Sequence, residues 1–123
     1  MILKPKRLCR RIEEFEADPM HSARMSESIV RELWPNAEWE STTRAVDTNG
    51  QDTVEIEPDE SSIRIELRGP GNLIGELERV IRHVVPRGYV VFDFQTSMIL
   101  KGVAGDQAQY AGWYKSVVGP SDA

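Results

Sequence analysis

A chain of 123 residues, 40% hydrophobic and 28% charged, reads as one ordinary globular domain large enough to bury its own core, and no second domain fits. No apolar run approaches the roughly 20 residues that a bilayer span needs, and the single cysteine, Cys9, excludes an internal disulfide or a multi-cysteine metal site and suits a reducing cytoplasm. Residues 1–11 hold five of the 15 bases and none of the 20 acids, so ten bases face twenty acids in the remainder, a net of −10 against −5 for the whole chain; such a body repels nucleic acid and favours cationic partners.

In chain order, Lys4, Lys6, Arg7, Arg10 and Arg11 open a basic arm, and Glu13, Glu14 and Glu16 stand where a secretory signal would need apolar residues, so no export is expected. Leu8, Ile12 and Phe15 recur at helical spacing and predict a helix over Lys6–Ala17, closed by Asp18-Pro19. Its bases come first and its acids last, against the helix dipole, which predicts a frayed start over residues 1–11. A second helix is predicted from the N-cap Ser22 to Leu33, with Met25, Ile29 and Leu33 in one stripe and Trp34-Pro35 as its stop.

The middle of the chain reads as a three-stranded meander. A two-residue turn centred on Asn49-Gly50 pairs Thr43 with Ile56 and Ala45 with Val54; a four-residue turn Pro58-Asp59-Glu60-Ser61 pairs Ile56 with Ile63 and Val54 with Ile65. Both hairpins agree on one apolar face, and the opposite face gains a charge ladder of Arg44, Glu55 and Arg64. Asn72 caps a third helix whose line is Leu73, Leu77, Val80 and Val84, stopped by Pro86. Strands follow at Tyr89–Phe94 and Met98–Val103. A last helix begins at Asp106 and carries Tyr110, Trp113, Tyr114 and Val117. The expected fold is therefore α+β: a mostly antiparallel sheet of about five strands, a meander plus a later pair, with helices on one face in the order ααβββαββα.

Catalytic signals are weak. His21 and His83 are the only imidazoles, and His83 suits a solvated helix end; "RGPGNLIG" lacks the Gly-Lys-Ser/Thr of a phosphate loop, and no acid cluster has calcium-loop spacing. An enzyme would need Asp93, His83 or Glu66 to converge, or Asp93 to pair with Glu66 or Glu57. No activity, cofactor or metal is expected. "DFQT" holds Asp93 and Gln95 between two strands, where Asp93 serves either as a turn residue accepting backbone N–H bonds or as a partner contact at a sheet end.

The strand-turn "GYVVFDFQT" after an amphipathic helix, in a small acidic α+β chain, resembles immunity proteins of bacterial contact-dependent and polymorphic toxin systems; the likeness covers residues 72–101, with Phe94 where a proline suits the turn better. The resemblance implies a non-enzymatic inhibitor that binds a cognate, basic, nuclease-type toxin domain. Partner contacts would come from Asp93, Gln95, Trp39, Glu38, Glu40, Asp59 and Glu60, with Trp39, Trp113 or Tyr89 as aromatic anchors or as plain core residues. The element order from Ser22 to Val118 also resembles type III secretion chaperones, which implies a homodimer holding an unfolded client. A third reading sets the arm Lys4–Arg11 on nucleic-acid phosphates, against the acidic body.

Overall fold

In the computed structural model, which describes residues 1–94 and 96–100, alternate apolar residues close one face of a seven-stranded sheet. The strands are β1 (Ile2–Leu3), β2 (Glu38–Ser41), β3 (Arg44–Asn49), β4 (Asp52–Pro58), β5 (Ser62–Arg68), β6 (Val90–Asp93) and β7 (Met98–Leu100), and the helices are α1 (Ala23–Leu33) and α2 (Leu73–Val84). The spatial order is β2-β3-β4-β5-β1-β6-β7, with every neighbouring pair antiparallel. The α+β class and the antiparallel sheet are as expected, but the strand count is corrected from five to seven. The two additions, β1 and β2, are a two-residue strand and a four-residue strand of mostly exposed residues, neither long enough to leave an alternation signal.

Both helix N-caps form as expected: Ser22 Oγ accepts from Met25 N at 3.3 Å, and Asn72 Oδ1 accepts from Gly75 N at 2.8 Å. On α2 the line Leu73, Leu77, Val80 and Val84 is buried together with Ile81, and each such side chain contributes about 1.5 to 3 kcal/mol over its exposed state. On α1 the buried face is Ser26, Ile29, Val30 and Leu33, while Met25 points to solvent. These faces meet Ile2, Ala45, Val54, Ile56, Ile63, Leu67 and Val91 in one core, so both helices lie on one side of the sheet.

The helix expected over Lys6–Ala17 is replaced by a closed loop. Lys6 N donates to Glu16 O, Pro5 bridges to Ala17, and a single 3₁₀ turn covers Ile12–Glu14. Glu14 draws its own turn together by accepting the backbone N–H groups of Arg10 (3.2 Å) and Arg11 (3.0 Å), a local alternative to helical bonding. Leu8, counted in the helical stripe, is 85% exposed; Cys9 is buried instead and joins Leu3, Val90, Phe92 and Ile99 in a second core on the other side of the sheet.

Both hairpins turn one residue later than expected. The first turn is Gly50-Gln51, with a positive φ of 64° at Gly50, so Ala45 pairs with Ile56 and Asp47 with Val54. The second loop is Asp59–Ser62, so Ile56 pairs with Ile65 and Val54 with Leu67. Each pairing slips by two residues, and because strand faces alternate with period two, the apolar face is unchanged. The final helix expected from Asp106, and Trp113 with it, lie outside the described residues.

Candidate functional site

The helix-free face of β2–β5 carries charge in an ordered lattice. Arg44 reaches Glu40 (2.8 Å), Glu57 (2.9 Å) and Glu55 (3.5 Å), and Arg68 reaches Glu66 (2.8 Å) and Glu55 (3.8 Å). Glu55 and Glu66 lie directly opposite one another, and Glu57 lies opposite Arg64. The Arg68 hydrogen bond holds the Glu66 carboxyl below its ordinary value, and the surrounding carboxylates raise both Arg44 and Arg68. With Glu38 on the same side, five carboxylates (Glu38, Glu40, Glu55, Glu57, Glu66) stand against three guanidiniums (Arg44, Arg64, Arg68). Among the described residues no element covers this face.

Beside that face the sheet is split. β1 is antiparallel to both β5 and β6, so those two strands are parallel and stand two strand spacings, about 9.5 Å, apart. β1 fills the space only as far as Met1, whose amino nitrogen donates to Phe92 O at 2.8 Å. Burial pushes that amine down to about 6, against the opposing attraction of Asp93. Past Met1 the space is a cavity of ≈ 380 Å³, floored by Leu77, Val80 and Leu100, with Asp93 at its side and Arg64, Glu66 and Arg68 at its mouth.

Asp93 is 7% exposed, on the helix side of β6, and accepts from Thr96 Oγ1 at 2.6 Å. It is thus tied into its turn and also borders the cavity. Gln95 lies outside the described residues. Glu66 lines the same cavity as Asp93, while Glu57 is held by Arg44 on another strand. His83 lies against Arg87 and Glu32 (3.5 Å) and is not among the lining residues.

The remaining expected contacts are dispersed. Glu38 and Glu40 belong to the outer lattice, but Trp39 between them turns to the helix side, where the Arg31 guanidinium lies 4.6 Å from its ring centre. β2 stands five strand positions from β6, about 24 Å, so Trp39 and Asp93 do not share a site. Asp59 and Glu60 sit on the turn before β5, at the opposite end of that strand from the cavity. Asp59 Oδ1 accepts from Glu60 N at 2.8 Å, and Glu60 O is pinned by His21. Tyr89 is buried at 8% exposure with its hydroxyl on His21, a core residue. The cavity was not foreseen, because its boundary is set by where the two-residue β1 stops.

A second cavity, ≈ 610 Å³, lies between the Lys4–Arg10 segment and Val85, Tyr89, Val90 and Ile99. Three of the five bases of the arm beside it meet acids: Lys4 meets Asp18 (3.2 Å), Arg7 meets Glu16 (3.8 Å) and Arg11 meets Glu14 (3.9 Å). Neither a protein-family model, nor a curated protein, nor a solved structure matches this chain.

Proposed function

We propose that the chain is a non-enzymatic protein-binding inhibitor of the immunity type, which engages a basic toxin domain through the carboxylate-rich face of β2–β5. The observation that carries the reading is the lattice itself. Two of its three arginines, Arg44 and Arg68, are already engaged by carboxylates and held in place, so that part of the surface is pre-ordered, and the excess of carboxylates gives it a negative field that speeds encounter with a cationic partner. Pairing of Lys4, Arg7 and Arg11 with nearby acids favours a protein partner over nucleic acid.

The test is affinity capture from the native organism's lysate at low and moderate salt, followed by an activity assay of the retained protein. The reading expects a basic, folded domain in stoichiometric amount, silenced by added chain and released by the triple variant Glu38→Lys, Glu40→Lys, Glu57→Lys. An unfolded export substrate would replace it with the chaperone reading. Capture that ignores the triple variant would remove this face from the account.

A further inference from the structure

The gap between β5 and β6 has the bonding demand of one absent strand. Along β5, Ser62 O accepts from Asp59 N and Ser61 O accepts from Lys4 N, so even-numbered residues turn their backbone groups to β4 and odd-numbered ones to β1. Ile63 is paired with Ile2; Ile65 and Leu67 come next on the same edge, and among the described residues no strand pairs with them there. On the facing strand Phe92 exchanges both backbone bonds with Met1, which leaves the backbone of Phe94 as the next to face the gap. Unpaired strand edges on two facing walls, two spacings apart, can be satisfied together by one extended backbone, which would replace the water that otherwise meets them.

We propose that this gap binds an extended peptide segment of another protein as an added strand in line with β1, with aliphatic side chains alternating with acidic ones. The residue opposite Ile65 shares the face of Ile2 and projects toward Leu77 and Val80; the one opposite Leu67 does the same, and the cavity of ≈ 380 Å³ receives both. The residue between them projects outward opposite Glu66 with Arg64 and Arg68 on either side. Glu66 is already held by Arg68, and among the described residues no carboxylate comes within 4 Å of Arg64, so an acidic side chain is favoured there over a basic one. Backbone bonds supply affinity and the alternate pockets supply selection. This site shares Arg64, Glu66 and Arg68 with the acidic face, but Glu38, Glu40 and Glu57, whose exchange tests that face, lie outside it, so either reading can fail alone.

The probe is an acetylated and amidated six-residue peptide alternating valine and glutamate, followed by amide hydrogen exchange on the full chain. Expected are slowing of the Ile65 and Leu67 amides by about tenfold or more, no effect from the same peptide N-methylated on its bonding edges, and weaker binding of a valine–lysine version. Leu77→Trp, which fills the floor, is expected to abolish binding; if that variant does not fold, exchange on the unaltered chain decides. Full protection of both amides without peptide would overturn the proposal. So would binding without slowing, or no binding at about 1 mM peptide; equal binding of the lysine version would overturn its charge selection.

Discussion

The indole N–H of Trp34 donates to Glu76 Oε1 at 2.8 Å, joining the C-cap of α1 to the first turn of α2. Arg79 grips the same carboxylate at 2.5 Å and reaches across to Leu33 O at 2.7 Å, so one acid and one guanidinium close the end of one helix against the face of the other. Trp34 is 2% exposed, and its N–H has no water to turn to.

Glu76→Ala leaves that buried donor unpaired and is expected to cost about 1 to 3 kcal/mol in urea unfolding. Burial opposes ionisation of Glu76, but the Arg79 and Trp34 hydrogen bonds outweigh it and hold its carboxyl below the ordinary value. A carboxylate lowered in the folded state stabilises above its unfolded pKa, and that contribution disappears as pH falls through the folded value. The acid limb of the stability profile is therefore expected to flatten in Glu76→Gln, read by urea titrations between pH 5 and pH 2.

His21 joins three parts of the chain. A carbonyl can only accept, so Nδ1 carries the proton donated to Glu60 O at 2.6 Å, and Nε2 of the neutral ring accepts from the Tyr89 hydroxyl at 2.6 Å. Tyr89→Phe removes one bond and leaves a buried ring nitrogen unpaired, an expected loss of about 1 to 2 kcal/mol by chemical denaturation. His21→Phe, which removes the other polar partner as well, is expected to recover part of that loss in the Tyr89→Phe background.

The hairpin registers are tested by charge exchange. Arg44 meets Glu57 at 2.9 Å and Glu55 at 3.5 Å, so Arg44→Glu is expected to lower Tm, and Glu57→Arg is expected to restore more of it than Glu55→Arg does. The opposite ranking would return the hairpin to a turn at Asn49-Gly50.

Ser26 is fully buried on α1, and among the described residues its hydroxyl has no hydrogen-bond partner. Ser26→Ala deletes an unsatisfied polar atom and improves helix propensity, so a stability gain of about 0.5 to 1.5 kcal/mol is expected by thermal unfolding.

What was legible in the sequence were features with a local period or a local cap. Val54, Ile56, Ile63 and Leu67 alternate, Leu73, Leu77 and Val84 recur along a helix, and Ser22 and Asn72 sit where their side chains meet a backbone N–H three residues on; all of these could be read without knowing what lies opposite. Leu8, Ile12 and Phe15 have the same helical spacing, yet the Glu14 carboxylate and the Pro5–Ala17 bridge won that segment for a loop. The gap beside Asp93 was illegible for a different reason. It is bounded by residues 1, 64–68 and 92–94, and only the registers of β1 with β5 and β6 bring them together.

Those registers also order the events of folding. The hairpins β2–β3, β3–β4 and β4–β5 join near neighbours in the chain, whereas Ile2 must find both Ile63 and Val91. Closing such long loops comes late, because their entropy is lost before any contact repays it. Until residues 90–91 have been made, the β6-facing edge of β1 has no strand to pair with, and the growing chain carries an open sheet edge.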